Sequence, residues 1–517
     1  MGEPGHFIKP VVQRLRNWPW HQWLVLALIG VYLLPIWVFK YIPTQDGPSH
    51  LYNSQVLAWM FTSDAPFHQY YDLRLAPFPN WLIYLILAPL ILVVPALTAE
   101  KALLSLYVIL VPLSVWYLLD AIRPGKTLLT LASFGLVYNF LLLMGFYNFV
   151  FSVPLVLITL GYWWKHQTAL GWREIILMNL LCALIWLGHI VDYAVALFAI
   201  GLLALLQVRS GFKAFLKAMA CILPSTTLFI YYFFDSDIAS SIQIHLTRTR
   251  ILGLLRDLVS MKVLVSYNAT QTLVAYLVSG LFGLLILSTV VTRLRSEGKW
   301  RVRFSRRDLF MLVCLCLLVL YLLLPWSMGG GGWLNDRFAL LLTLLLLAWF
   351  EEVPQRGWRI AFASLATLVA LASASTIFMA FDHYASDLAE YTAGQPVIQK
   401  GKVILPLLFN SSGDSKRVGV YVNAASYLAL DNGGINLANY EVQFDFFPVR
   451  FKDNFVPPKE WVEAVFGGPE RIDLCGYASH IDYLETWGKP TETITYAIRQ
   501  CYAPVFERGQ QRIFVPR

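Results

Sequence analysis

The chain has 517 residues, of which 57% are hydrophobic and 15% aromatic, whereas only 14% are charged. Long uncharged apolar runs recur through its first three quarters. They are too many to be the core helices of a soluble multidomain protein, so the composition indicates a polytopic membrane protein. The formal net charge of +8 lies mainly in short loops between these runs, which indicates membrane orientation and not nucleic-acid binding.

The apolar runs predict an all-α transmembrane bundle over residues 1–380, with about 11 spans and 11–13 as the allowed range. The segment 81–97 is interpreted as a re-entrant or interfacial helix, and a full span is the alternative. The predicted spans lie near 20–39, 101–119, 127–144, 146–164, 174–190, 191–208, 214–234, 271–292, 309–326, 336–352 and 358–380.

Basic residues recur in alternate loops of this bundle. Eleven spans would put them all on one side, which the positive-inside rule identifies as cytoplasmic. The first loop, 41–80, and the C-terminal region would then both lie on the outer face. The basic loop residues are Arg123, Lys126, Lys165, Arg173, Arg209, Lys213, Lys217, Arg293, Arg295, Lys299, Arg301, Arg303, Arg306, Arg307, Arg356 and Arg359.

The first outer loop begins with an unusually polar stretch, Thr44–Asn53. A helix opened by Gly47-Pro48 would place Asp46, His50 and Asn53 near one face. A carboxylate, an imidazole and an amide at the mouth of a membrane bundle favour chemistry. The alternative for Asp46 is a helix cap that accepts a backbone N–H near Ser49.

One short span, a long outer loop with an acid near its start, many further spans and a C-terminal outer domain resemble the GT-C superfamily of membrane glycosyltransferases. The specific motif is the segment Asp46–Asn53. The resemblance implies that Asp46 acts on the acceptor nucleophile or organises the site. It also implies a donor sugar carried on a polyprenyl phosphate.

Many members of this superfamily have a second acid in a later outer loop, where this chain has Tyr147-Asn148. Asn148 can orient a sugar hydroxyl but is neither a base nor a strong metal ligand. A metal-independent mechanism is therefore favoured, although a divalent metal is not excluded. Tyr147 and Asn148 are candidate substrate-binding residues, and a capped turn between two spans is the alternative.

Two further groups of polar residues interrupt apolar sequence. His189 and Asp192 are candidates for donor or acceptor binding because ionisable residues at membrane depth are costly. Arg337 is predicted to lie in the first turn of a helix, with Asn335 or Asp336 as the N-cap. A cation there favours an anion close by, either a lipid phosphate or the carboxylate of Asp336 or Asp192.

The second large outer loop, 235–267, is basic. His245, Arg248, Arg250 and Arg256 alternate there with aliphatic residues, and Arg248 and Arg250 are candidates for lipid-phosphate binding. An amphipathic helix that meets an anionic head group would explain the pattern. General adhesion to acidic lipids explains it equally well.

Residues 381–517 are more polar and predict a small extracytoplasmic α/β domain. Strands are expected at 402–408, 417–422 and 471–475, with a hairpin over 502–515. Cys475 and Cys501 could form a disulfide outside the cytoplasm, or they could be two unpaired thiols. Tyr440, Phe444, Phe446 and Phe447 could form a carbohydrate platform, and an ordinary domain core is the alternative.

These features together predict a glycosyltransferase of a bacterial inner membrane, with its site on the periplasmic side. It would move a sugar from a polyprenyl-phosphate donor to a glycan, lipid or protein acceptor, with inversion at the anomeric carbon. The expected partners also include the lipid bilayer but no nucleic acid. The alternative is a non-catalytic transporter or an accessory subunit that binds a lipid-linked sugar.

Overall fold

The structure is a computed structural model that describes residues 18–60, 62, 66–205, 212–235, 247–295, 305–328, 331–352, 355–455 and 472–517. The sequence predictions for Arg209, His245, Lys299, Arg301, Arg303 and residue 471 lie outside the described residues. The α-helices are α1 (Trp20–Val38), α2 (Gly47–Trp59), α3 (Phe67–Tyr70), α4 (Leu82–Ile91), α5 (Ala96–Ile122), α6 (Phe134–Val137), α7 (Phe140–Leu143), α8 (Tyr147–His166), α9 (Trp172–Gly188), α10 (Ile190–Leu205), α11 (Phe212–Ala220), α12 (Leu223–Asp235), α13 (Arg248–Val259), α14 (Ala269–Arg295), α15 (Asp308–Leu323), α16 (Leu334–Leu346), α17 (Arg356–Tyr391), α18 (Ser426–Ala429) and α19 (Glu492–Cys501).

Helices dominate the first three quarters of the described chain, as expected for a membrane bundle. Five of them, α1, α5, α8, α14 and α17, are long and apolar enough to cross a membrane. Large apolar side chains such as Leu34 and Trp37 remain exposed on α1, as they would on a surface that faces lipid. The predicted count of eleven spans is not confirmed, because several expected spans form shorter helices.

Two of the expected spans are broken. The segment 127–144 forms a 3-10 helix, Leu128–Ser133, followed by α6 and α7. Asn139 interrupts it because its backbone is extended and its side chain accepts the Leu142 N–H. The segment 214–234 divides into α11 and α12, where Pro224 is the second residue of α12. Proline has no N–H for a continuous helix and so favours a helix start.

Helix α4 occupies the ambiguous segment 81–97. Its ten residues extend about 15 Å, which is half the thickness of a hydrocarbon core of about 30 Å. After a short turn the chain enters α5 at Ala96. This length agrees with a re-entrant or interfacial helix and not with a full crossing.

Helix α14 extends from one end of the bundle to the other. Its 27 residues extend about 40 Å. Just before its start, the backbone carbonyls of Ser266 and Tyr267 accept N–H groups of the C-terminal region. At its far end, Arg293 lies near Glu351, which also pairs with Arg123 at 2.9 Å and Arg307 at 2.5 Å. Basic loop residues therefore gather at the end opposite the C-terminal region.

The strands of the described residues are β1 (Tyr71–Leu73), β2 (Val403–Leu408), β3 (Ile435–Asn436), β4 (Val449–Phe451), β5 (Tyr483–Trp487), β6 (Tyr502–Arg508) and β7 (Gln511–Pro516). Five of them form a mixed sheet of the C-terminal region in the order β3-β2-β5-β7-β6. Strand β2 runs parallel to β3 and β5, and β7 runs antiparallel to β5 and β6. The predicted strand at 402–408 and the terminal hairpin are confirmed, whereas 417–422 and 472–475 form turns.

The C-terminal region is joined to both the first loop and the bundle. Strand β1 of the loop pairs antiparallel with β4. The 36-residue helix α17 passes through the boundary expected at residue 380. Within the C-terminal region itself, a disulfide links Cys475 to Cys501 at the end of α19, which confirms the first of the two alternatives for these cysteines. The first loop and the C-terminal region therefore form one structural unit above the bundle.

Candidate functional site

Asp46 stands immediately before α2, and its main chain is fixed by the turn before α8. The N–H groups of Gln45 and Asp46 donate to the carbonyls of Leu143 and Met144, each at 3.1 Å. The Asp46 side chain makes no helix-capping hydrogen bond, so the expectation of a cap is wrong. Its carboxylate instead contacts the C-terminal region, where the Asn423 side chain donates to Oδ1 at 3.0 Å.

Gly145 allows this close approach. It has a φ of +81°, and a Cβ there would lie 2.5 Å from the Gly47 nitrogen and 2.7 Å from the Asp46 nitrogen. Glycine is the one residue type without the Cβ penalty of such a conformation. The position of Asp46 therefore depends on a backbone contact that the sequence motif does not contain.

We expect Gly145→Ala to lower the free energy of unfolding by more than about 1 kcal/mol, because it adds both φ strain and a backbone clash. Thermal unfolding of the purified protein in detergent measures the change. The matched control is Gly280→Ala within α14, where a Cβ would meet nothing within 4 Å. An equal loss of stability in both variants would contradict the packing argument.

Asp46 and several predicted site residues line one cavity of about 580 Å³. One part of the lining is polar and includes residues of the first loop, of α8 and of the C-terminal region. The rest is aliphatic and aromatic. The polar and charged lining residues are Gln45, Asp46, His50, Asn80, Asn148, His189, Tyr232, Arg337, Tyr440 and Gln443. The cavity therefore joins a carboxylate and a guanidinium from segments far apart in sequence.

The surroundings of Asp46 change its acidity. Its side chain is 7% exposed, and burial raises its pKa to about 6. The positive charge of His50 and hydrogen bonds from Gln45 and Tyr440 lower the pKa, whereas the charge of Glu441 raises it. Asp46 is thus a carboxylate that can exchange a proton near neutral pH.

His50 also lines the cavity, and its imidazole contacts two buried polar side chains. Its Nδ1 lies 2.8 Å from Oε1 of Glu441 and 2.7 Å from the Tyr84 hydroxyl. Tyr84 donates a hydrogen bond to the other oxygen of the same carboxylate. Glu441 is fully buried, so the three groups form a closed polar cluster beside Asp46.

Arg337 supplies a guanidinium to the cavity and is 7% exposed. Its guanidinium lies over the rings of Phe146 and Phe149, at 4.8 and 5.1 Å from their centroids, and contacts Nε2 of His189. Its Nε has no hydrogen-bond partner. Trp333, and not Asn335 or Asp336, is the N-cap of α16.

The ion pairs among the described residues do not include one between Arg337 and a carboxylate. Asp336 pairs with Arg417 at 3.0 Å instead. Asp192 is fully buried, with its Oδ2 3.8 Å from Nδ1 of His189. Both Asp192 oxygens lack hydrogen-bond donors, and the residue does not line the cavity. Arg337 therefore makes no direct ion pair with either carboxylate, although the charges of Asp192, Asp336 and Asp46 act on it.

Three predicted substrate-binding residues have structural partners. Asn53 exchanges two amide hydrogen bonds with Asn439, at 2.9 and 2.7 Å. Tyr147 donates to the buried Glu100 at 2.8 Å. Asn148 lines the cavity but accepts the Ile83 N–H and donates to a backbone carbonyl. Asn53 and Tyr147 do not line the cavity, so the structure places these two candidates outside it.

Arg248 and Arg250 do not belong to this cavity either. Both lie in the first turn of α13. The Arg250 guanidinium donates to the carbonyls of Leu322 and Leu324 at the C-terminal end of α15. Cations are favourable at that end of a helix. The structure therefore places the Arg250 guanidinium at a helix end and outside the cavity, and its phosphate role stays a prediction.

Glu441 and Glu100 are the acids that sequence reasoning missed. Glu441 follows Tyr440 in a run rich in aromatics, and Tyr440, Phe444, Phe446 and Phe447 all line the cavity. An isolated acid within an aromatic run was the available signal. Glu100 lies in α5 beside Lys101, where it resembles a residue at the end of a span. No group of three or more potential metal-ligating His, Cys, Asp or Glu side chains occurs within the described ranges.

Neither a family model nor a curated protein matches the chain.

Proposed function

We propose that the chain is a membrane glycosyltransferase of the GT-C type. It moves a sugar from a polyprenyl-phosphate-linked donor to an acceptor on the outer face of the membrane. The observation that carries this proposal is the single cavity lined by both Asp46 and the buried Arg337. A base and an anion-binding guanidinium in one cavity are what transfer from a lipid phosphate requires.

In this proposal Asp46 is the general base. Its carboxylate accepts the proton of the acceptor hydroxyl while the acceptor oxygen forms the new bond to the anomeric carbon. The bond from that carbon to the donor phosphate breaks, and its electron pair leaves on the phosphate. Attack from the side opposite the phosphate inverts the anomeric configuration.

Arg337 binds the departing lipid phosphate. Its planar guanidinium suits several hydrogen bonds to phosphate oxygens, and the residue lines the cavity. Phe146 and Phe149 hold the guanidinium by their ring faces without neutralising it. Charge stabilisation of this kind is strong in a site that excludes water.

The remaining lining of the cavity supports a lipid-linked donor. Ile190, Val191 and Ala194 of α10 line it together with Leu320 and Leu324. Such a surface favours a polyprenyl chain, because it removes hydrocarbon from water without unpaired polar groups. In a bacterial inner membrane, the site would open to the periplasmic side.

A structure of the full chain in lipid nanodiscs with added polyprenyl monophosphate tests the proposal. The phosphate is expected within hydrogen-bonding distance of Arg337, with the prenyl chain beside α10 and α15. A phosphate bound elsewhere would contradict the donor site. A cavity open to both membrane faces would favour the alternative, a transporter or accessory subunit for a lipid-linked sugar.

A further inference from the structure

The polar cluster of His50, Tyr84 and Glu441 is formed by parts of the chain that are far apart in sequence. Glu441 lies in a short 3-10 helix, Tyr440–Gln443, whereas His50 lies in the first turn of α2. The Glu441 carboxylate is completely buried. One of its oxygens is 2.8 Å from Nδ1 of His50, and the other accepts the Tyr84 hydroxyl hydrogen.

The Nδ1 side of the imidazole faces the Glu441 carboxylate and the Tyr84 hydroxyl, at 2.8 and 2.7 Å. A buried carboxylate is costly unless a cation is paired with it. The imidazolium form of His50 supplies that positive charge, whereas a neutral imidazole does not.

The charged and titratable groups that act on His50 are mostly acidic or neutral. Asp46 lies one helical turn before it, and Glu100 and the Tyr147 ring are also close. Burial lowers the pKa of His50, but the charge and hydrogen bond of Glu441 and the charge of Asp46 together raise it above the usual value.

We propose that Glu441 is a positioning residue that, with Tyr84, holds His50 as a fixed imidazolium beside Asp46. His50 is then a permanent cation of the site and not its base. The cation favours the ionised form of Asp46, so the C-terminal region completes the electrostatics of the cavity. The catalytic consequence, although not the protonation state itself, rests on the proposed transferase function.

The test is 15N NMR of the full-length protein in nanodiscs, labelled at its nine histidines. The His50 signal is identified by its loss in His50→Gln. We expect it to show an imidazolium at pH 7.5 in the wild type. In Glu441→Gln it should become neutral, since removing an opposite charge at this distance shifts a pKa by roughly 1–3 units.

Two variants separate the charge of Glu441 from simple packing. Tyr84→Phe keeps the Glu441 carboxylate, so His50 should remain an imidazolium. Asp414→Asn alters the exposed His383–Asp414 pair, whose atoms are 3.1 Å apart, and should leave the His50 signal unchanged. Size-exclusion profiles and an intact Cys475–Cys501 disulfide check that each variant is folded.

A neutral His50 in the wild type, or an imidazolium that persists in Glu441→Gln, would overturn the proposal. The readout requires no sugar transfer, so it is independent of the enzymatic proposal. If His50 responds to Glu441 as expected but Asp46→Asn retains activity, the positioning of His50 stands and the transferase mechanism fails.

Discussion

Asp46→Asn is expected to abolish sugar transfer while the protein remains folded in the membrane. General-base catalysis contributes roughly 10²–10⁴-fold to a rate, and asparagine cannot accept the proton. The substitution is nearly isosteric, and the amide oxygen can still accept the Asn423 hydrogen bond that Oδ1 receives. Abundance should therefore change little.

The measurement uses cells that lack their own copy of this protein. Mass spectrometry of the glycan, lipid and protein fractions identifies the sugar modification that the wild-type chain restores, and immunoblots report abundance. The control is Asp72→Asn in the same outer loop, because Asp72 lies in β1 and does not line the cavity. Restoration by Asp46→Asn at normal abundance would remove this residue from catalysis.

The proposed role of Asp46 as a general base predicts the pH dependence of sugar transfer by the wild-type protein. Burial raises the pKa of Asp46 to about 6, and the base must be ionised to accept a proton. The transfer rate should therefore rise as the pH increases through about 6 and fall as the carboxyl is protonated below it. A rate independent of pH between 5 and 8 would argue against Asp46 as the base.

Arg337→Gln is expected to weaken the binding of polyprenyl monophosphate by roughly 10–100-fold, since a hydrogen bond to a charged group contributes about 1.5–3 kcal/mol. Binding is measured with radiolabelled lipid and the purified protein. Arg337→Lys keeps the charge but loses the planar set of donors. Its affinity for the lipid should therefore lie between those of the wild type and of Arg337→Gln.

Arg250→Gln is the control for this experiment. Arg250 donates to the end of α15 and does not line the cavity. Its substitution should lower thermal stability without changing the affinity for the lipid phosphate. A loss of affinity in Arg250→Gln equal to that in Arg337→Gln would place the phosphate outside the cavity and contradict the proposed donor site.

Features with a local physical cause could be predicted from sequence. The apolar runs indicated a membrane protein, because the length and hydropathy of each run can be judged from that segment alone. The start of α2 at Gly47-Pro48 followed from helix-start preferences, and the terminal hairpin followed from its strand pattern. Long runs interrupted by a single polar residue or proline were harder. Asn139 broke one expected span, and Pro224 marks the start of a new helix in another.

Which residues come together in the site could not be predicted from the sequence alone. The sequence by itself determined a membrane protein with an acid-bearing first loop, and it singled out Asp46, His50 and Arg337. Only the tertiary structure decided that these three line one cavity, that Asn53 pairs with Asn439, and that Glu441 lies against His50. Glu441 is almost four hundred residues from His50 in the chain. Two such buried groups stabilise each other only when the folded chain brings them together, so no local sequence pattern indicates that they pair.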